Sequence, residues 1–540
     1  MKLKGLKARA YNIMFHVHTV SGIVLSVVLF VIFYAGAFTL FKSEFNSWEN
    51  PQMRGLAMHD LKISKVLSAI ESQTCGNVNW NEDVRIAPPR KNKPAIGVFG
   101  HLNTAGPSEG RFDFLLNPLD YTPIEAKGTV GETLFRLHFL DQIPAIGRYL
   151  AGFVSLFFLF ASLTGLLIHW RNIFTKFWSF SLKGAKKQFW ANAHTVMGFL
   201  GLPFQLMYAV TGAFYLLLPL ILLPAVGMLY AGNVNSVYKI VYPSYGIAYS
   251  DRAEPAENLD NLEALYSQVL HENPDLEITY IGIKNFNRKD GTVNFSVRHK
   301  SPESFDNSGS IGYRLSTRAE LYSQIPQKNK GYVQQVINGM GQLHFATFGG
   351  LLLKSTYFIL ALLTCFMVLA GVVLWREARQ NKSFTVRQKH FHSRTTTIYL
   401  AICLSLIPAV PLLFASELIV PASQGHKLAV NTIFFTAWLI LGIFGVFLKK
   451  DRLLVHWYLF LSALFSLSVP LSNGYKTGYW PWISLLKKEY GVALTDAFWL
   501  CAGLFQLFLF LYAIRKTAPF GNSRVNRQSA PSFENKAKRV

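Results

Sequence analysis

Residues 16–38, HVHTVSGIVLSVVLFVIFYAGAF, recur in altered form at 192–214 as NAHTVMGFLGLPFQLMYAVTGAF. Residues 133–172 recur at 339–377, sharing a Leu-His-Phe, a long apolar run, a Gly near its end and a closing Trp-Arg. Each repeated run is long enough to cross a bilayer, which takes about 20 apolar residues at roughly 1.5 Å of rise each. The first 375 residues therefore form two copies of one unit: apolar helix, long polar insert, apolar helix. A duplication of this kind restricts the fold to a pseudo-symmetric membrane bundle, with sites expected between the halves.

Apolar runs predict eight spans, roughly 17–41, 147–169, 195–226, 351–375, 397–420, 428–448, 453–471 and 497–514. The chain is 51% hydrophobic and 15% charged, which excludes an ordinary soluble enzyme. A net charge of +23 suggests nucleic acid until the charges are located. The inserts 42–149 and 231–347 hold 24 acids against 23 Lys and Arg. The N-terminus, 171–193, 376–394, 449–452 and 515–540 hold 25 Lys and Arg against three acids, and they alternate with the inserts. By the positive-inside rule both termini are cytoplasmic and both inserts lie outside, with anionic lipid rather than nucleic acid as the basic segments' partner. The N-terminal Lys2, Lys4, Lys7 and Arg9 before an apolar run resemble a signal peptide, but that run is too long and its duplicate sits mid-chain, so a retained helix is expected. Cys75, Cys365, Cys403 and Cys501 show no CxxC or haem-attachment spacing.

The expected division is a first span in 1–41, a first insert in 42–146, and second and third spans with a basic loop in 147–230. A second insert follows in 231–347, a fourth span and basic loop in 348–394, four further spans in 395–516, and a disordered basic tail in 517–540. In the first insert, 60–72 places Leu61, Ile63, Val66 and Ile70 on one helical face, ahead of short alternating runs DVRIAP, AIGVFG and FDFLLNP. The second repeats this order, with 259–270 helical, EITYIGIK and TVNFSVRHK as strands and Lys289-Asp290-Gly291 as a turn. Each insert is thus expected to be a small α+β domain on a mainly α bundle. The aromatic and basic segment 170–190 reads as an amphipathic helix on the inner leaflet. Glu417, an acid close to Pro421, is expected to face the outer interface.

Ionisable side chains beside spans are costly, so repeated ones call for a reason. His16, His18, His169 and His194 fall at one membrane face; His138 and His344 fall at the other, each within Leu-His-Phe. Helical bundles hold haem between facing helices with imidazoles on both axial positions. Duplication supplies such pairs, His18 with His194 and His138 with His344, and Gly22, Gly198, Gly349 and Gly350 are expected to make room for a macrocycle. His169 breaks the symmetry, since its counterpart is Leu374; it replaces one inner ligand or neighbours it. His16 aligns with Asn192 and is the weaker candidate. The alternatives are polar caps on helix ends, or zinc or copper at the inner cluster, where no acid or thiolate accompanies the histidines.

HVHTVSG with FVIFYAGAFTLFKSEFNSWENP, LFRLHF, SLTGLLIHWRNIF, NAHTVMGFLGLPFQLMYAVTGAFY and QLHFATFGG together resemble the PepSY-associated transmembrane family over about residues 10–380. That family includes iron-regulated inner-membrane proteins and ferric-siderophore reductases. The resemblance implies PepSY-like periplasmic domains and two b-type haems, with their iron held through His18, His138, His169, His194 and His344. It departs at Asn192, where the family commonly has Asp, and the four spans after 395 lie outside the family's core. The implied activity is a bacterial inner-membrane oxidoreductase passing electrons from the cytoplasmic side to a periplasmic acceptor, a ferric-siderophore complex. No GxGxxG opens a helix after a strand, so the donor is expected to be a quinol or a separate cytoplasmic reductase. A non-redox scaffold whose outer domains bind a peptide, protease or transporter is the alternative; a transporter is the third, and the scarcity of charged residues deep in the spans, Glu417 apart, speaks against it.

Overall fold

The computed structural model describes residues 7–517 apart from 58, 91–92, 104–109, 126–127, 173–174, 176–184, 251, 302–304, 327, 329, 424 and 449. Most of the 170–190 segment and the tail beyond 517 fall outside the described residues. Among the described residues, eight helical segments are long and apolar enough to span a membrane, so the chain is a multi-pass membrane protein. The first copy contributes α1 (Ala8–Thr39) and α5 (Gly147–His169). The second contributes α6 (Lys186–Leu200) with α7 (Leu202–Leu229), and α11 (Gly350–Ala378). The copies differ at Gly201-Leu202-Pro203: Pro203 enters the first turn of α7, lacks an N–H, and divides a helix that is continuous in α1. Within the bundle α1 packs between α5 and α11, α5 packs on α7, and α6 packs on α11.

Between the spans run α2 (Lys42–Glu49), α3 (Ile63–Gln73), α4 (Thr129–His138), α8 (Val234–Val241), α9 (Leu259–Glu272) and α10 (Tyr332–Phe345). The first insert folds as α3 with β1 (Val84–Ala87), β2 (Ile96–His101), β3 (Arg111–Leu116) and β4 (Pro123–Ile124). The second folds as α9 with β5 (Leu276–Lys284), β6 (Thr292–His299), β7 (Ser308–Arg314) and β8 (Glu320–Gln324). Each is the expected helix-plus-strands unit, and alternation does the work: Val293, Phe295 and Val297 on β6 are buried on one face. The two inserts do not stand apart. They join edge to edge through antiparallel β1 and β5, Ile86 opposite Ile281, in one eight-stranded sheet of order β4-β3-β2-β1-β5-β6-β7-β8. Ile70 of α3, Leu265 of α9 and Ile86, Ile283 and Phe295 of the strands share one core beneath the two helices. The join also covers what would otherwise be two exposed strand edges.

The remaining spans are α12 (Val386–Leu404) running into α13 (Leu406–Ile419), α14 (His426–Phe447), α15 (Asp451–Thr477) and α17 (Tyr490–Thr517), with the short α16 (Pro481–Leu486) between the last two. They share one hydrophobic core with the duplicated half, including Phe38, Phe414 and Trp499. At the sheet end the attachment is polar. Trp48 Nε1 donates to Asp496 Oδ1 at 2.8 Å, Asn473 Nδ2 donates to Asp496 Oδ2 at 2.6 Å, and an Arg54 terminal nitrogen donates to Asn473 Oδ1 at 3.1 Å. Trp48, Asn473 and Asp496 are fully buried, so these bonds satisfy groups that would otherwise be costly to bury. Glu417 is not at the interface as its position in sequence suggests. It is fully buried, and its Oε1 lies 3.1 Å from His426 Nε2, because α14 returns antiparallel and lays its first residue against the end of α13.

Candidate functional site

Two pairs of histidines face one another across the repeat, at opposite ends of the bundle. The inner pair is His18 of α1 and His194 of α6, with ring centroids 6.0 Å apart and planes at 64°. The outer pair, at the sheet end, is His138 and His344, with centroids 5.9 Å apart and planes at 45°. Fourteen residues of α1 separate His18 from Ile32, whose carbonyl holds the outer pair, a rise of roughly 21 Å.

The 133–172 segment keeps the expected span, Gly147–His169, and breaks ahead of it. Its first part forms α4, whose last residue is His138. A turn with positive φ at Leu140 and Ala145 then leads past Pro144 into α5. The second copy does the same: α10 carries His344, Ala346 adopts a left-handed cap, and α11 starts at Gly350. The outer imidazoles are thus presented by the ends of short helices, and the inner ones by the flanks of α1 and α6.

Each imidazole has one nitrogen occupied. His18 Nδ1 lies 2.9 Å from Ala161 O, His194 Nδ1 2.9 Å from Met367 O, and His138 Nδ1 2.8 Å from Ile32 O. A carbonyl only accepts, so in these three Nδ1 carries the proton and Nε2 keeps its lone pair. His344 Nδ1 lies 2.8 Å from Thr211 Oγ1. That hydroxyl donates to Met207 O at 2.8 Å, leaving its oxygen to accept from Nδ1–H. All four side chains therefore offer Nε2 as a ligand, with the outer partner fixing tautomer and ring orientation as metal-binding histidines require.

Glycines let the rings in. A Cβ at Gly165 would lie 3.0 Å from His18 Cε1, one at Gly371 3.0 Å from His194 Cε1, and one at Gly36 2.5 Å from His138 Nδ1. Gly165 and Gly371 each stand 27 residues after the Leu-His-Phe histidine of their copy, and Ala161 and Met367 each stand 23 after it. The inner half-sites thus share one spacing, although Thr164, whose hydroxyl lies 3.5 Å from His18 Nδ1, has Ala370 as its counterpart. Of the expected glycines, a Cβ on Gly22 would meet nothing within 4 Å, one on Gly198 would lie 3.4 Å from Met367 Sδ, one on Gly349 would meet Leu353, and Gly350 serves a turn at φ +59°.

The outer pair opens on a cavity in which a water's centre reaches about 240 Å³, walled by Phe33, Phe158, Phe204, Tyr208 and Tyr215 among others, with Arg148 at its rim. Tyr208 donates to His344 O at 3.0 Å, and its ring centroid stands 5.0 Å from that of His344. His169 ends α5, eight residues and roughly 12 Å of helix beyond the Ala161 carbonyl that holds His18. His16 is exposed and edges onto Phe15. No cluster of three or more His, Cys, Asp or Glu suited to a bare metal ion occurs among the described residues.

A haem fits what is here. Two metal–nitrogen bonds of about 2 Å each, plus the reach from each nitrogen to its ring centre, span roughly the separation observed within each pair. Two neutral imidazoles without a carboxylate or thiolate suit a porphyrin-bound iron, which brings its other four ligands, better than a bare ion. Sequence reasoning found all four histidines through the repeat. It missed Thr211, Gly36, Gly165, Gly371 and Tyr208; the shared spacing of Gly165 and Gly371 was the available signal. A family model for the PepSY-associated TM region matches residues 15–378, the two copies together, and stops before the last four spans. No curated protein matches the chain.

Proposed function

The chain belongs to the PepSY-associated transmembrane family, and from that premise we propose that it is a di-haem membrane reductase. It takes electrons at the cytoplasmic face of a bacterial inner membrane, from a quinol or a separate reductase, and delivers them to a periplasmic acceptor. The acceptor on this reading is a ferric-siderophore complex. Reduction to Fe(II) weakens binding by hard oxygen donors and frees the metal. His18 with His194 and His138 with His344 would hold two b-type haems, and His169 would be a neighbour of the inner site.

The observation that carries this reading is that four histidines from two repeats form two cross-repeat pairs, each with Nδ1 tied off. Haem iron between two imidazoles carries single electrons and keeps no open position for other chemistry. The chain's own part is placement. Ala161, Met367, Ile32 and Thr211 hold the rings, and aromatic side chains wall the outer cavity.

A reduced-minus-oxidised spectrum of the purified protein tests this. The expected result is two haems per chain, with His18→Ala and His194→Ala losing one and His138→Ala and His344→Ala losing the other. Full haem content in His169→Ala is expected. Protein without haem that still binds a peptide, protease or transporter through its sheet domain is instead a scaffold, and the redox reading falls.

A further inference from the structure

Among the described residues, one charged side chain lines the outer cavity. Arg148 is the second residue of α5; its Nε donates to Asp141 Oδ1 at 2.6 Å, and its guanidinium carbon lies 5.2 Å from the Phe139 ring centroid. Asp141 also accepts from Arg136 Nε at 2.9 Å. The two terminal nitrogens of Arg148 donate to no described residue. A guanidinium held by Nε with both terminal nitrogens idle offers a fork to a carboxylate. The first turn of a helix is an unfavourable place for a cation, because the helix end is already partly positive. The same end favours an anion, so the two positive fields add at this rim.

The repeat shows that this cation is not incidental. Arg148 stands ten residues after His138, and Lys354 stands ten after His344. Lys354 is spent: its Nζ donates to Glu44 Oε1 at 2.8 Å, both side chains are 16% exposed, and it does not line the cavity. Duplication set a cation after each outer histidine; Lys354 is drawn to Glu44 of α2, whereas Arg148, paired with Asp141 through Nε, keeps its two terminal nitrogens at the cavity rim.

We infer that Arg148 binds a carboxylate on the edge of the flat apolar ligand held by His138 and His344, which on the haem reading above is a propionate. Asp141 is a positioning residue that aims the guanidinium. Apart from the two imidazoles and Ser155, the rest of the cavity is mainly aromatic and aliphatic, which suits the body of an amphipathic macrocycle whose anionic edge points to water.

Full-length protein produced without haem is titrated with haem and with haem dimethyl ester, which lacks the carboxylates. Outer-site loading is the part of the Soret signal absent in His138→Ala. The wild type is expected to take the ester at the outer site about tenfold more weakly than haem, the worth of a charge-assisted hydrogen bond. Arg148→Gln is expected to bind both porphyrins with the same weakened affinity, and Arg148→Lys to keep most of the preference. Inner-site loading, unchanged throughout, certifies the fold. A full preference surviving in Arg148→Gln, or none in the wild type, overturns the inference and leaves the haem reading standing. If Arg148→Gln loads neither site, Arg148→Lys decides: a retained preference supports the assignment and an absent one overturns it. Absence of any outer haem in the wild type overturns both.

Discussion

A backbone carbonyl has no proton to give, and three of the four imidazoles are pinned by one, so their tautomer is set by the fold rather than by pH. His344 is the exception, since its partner is a hydroxyl that must spend its proton elsewhere to act as an acceptor. Thr211→Val removes that acceptor while keeping the branched shape. On the haem reading it is expected to weaken outer-haem affinity about 10- to 100-fold and leave the inner haem untouched, as haem titration reports. The glycines give a graded series. A methyl at Gly36 would sit 2.5 Å from His138 Nδ1, so Gly36→Ala must displace the ring, at an overpacking cost of about 1–3 kcal/mol, and the outer haem should be lost. Gly165→Ala and Gly371→Ala meet their rings at 3.0 Å, where a small shift relieves the contact; the inner band is expected to move but persist. Equal effects at all three positions would contradict this ranking. The histidines were legible because HTVSG and HTVMG, and two Leu-His-Phe segments, recur in order. The glycines were not, because the expectation looked four residues along the same helix. The ring of His18 instead crosses to α5 and that of His194 to α11, and spacing within one helix does not say which neighbour it meets.

Short helices, not spans, set the outer site, and α4 shows how one is held. Its first turn has N–H groups without intrahelical partners, and Glu49 of α2 supplies both acceptors: Oε2 to Val130 N at 3.1 Å and Oε1 to Gly131 N at 2.9 Å. Glu49 therefore fixes the start of the helix whose last residue is His138. Burial pushes its carboxyl up to about 8, with nearby Glu417 adding to the rise and the two N–H bonds and Lys42 opposing it. A carboxyl raised on folding binds its proton more tightly in the native state, so its contribution is complete below the ordinary carboxylate range and is lost as pH rises through about 8. The thermal midpoint of the detergent-solubilised wild type is expected to fall from pH 5 to pH 8. Glu49→Gln should flatten that slope while costing about 1–3 kcal/mol at pH 5, where an amide N–H₂ replaces one acceptor. A variant keeping the wild-type slope would assign the pH dependence elsewhere. The amphipathic helix α3 and strand β6 could be read from periodicity. The start of α5 at Gly147 could be read from the apolar run as well, whereas the separate helix α4 could not, because the break between them rests on positive φ at Leu140 and Ala145.

At the scale of the molecule, two duplicated halves are stitched twice: in the bundle by histidines facing across the repeat, and outside it by one sheet. Alternation showed that each insert holds a helix and strands. It was silent on their union, because β1 and β5 pair across nearly 200 residues and an edge strand has the same pattern whether it is capped by solvent or by its twin. The last four spans were legible as helices but not as a clamp, since the contact from Trp48 to Asp496 joins positions 448 apart. The sheet join is the feature that makes the outer half of the molecule one body, and it can be tested directly. Ile86 and Ile281 are Cα partners on β1 and β5, both fully buried on the same face. Opposed residues in an antiparallel pair stand about 4.5–5.5 Å apart at Cα, within the range that a disulfide spans. With Cys75, Cys365, Cys403 and Cys501 replaced by Ser or Ala, Ile86→Cys with Ile281→Cys should therefore oxidise to an intramolecular bond. A protease site between α5 and α6 then separates the copies. The expected result is one full-length band on a non-reducing gel that resolves into two fragments with thiol, and two fragments in both lanes for either single cysteine. Two fragments without thiol in the double variant would mean that the inserts fold as separate sheets. The rigid body spanning both halves, with α4 and α10 leading from it to the outer histidines, would then have to be given up.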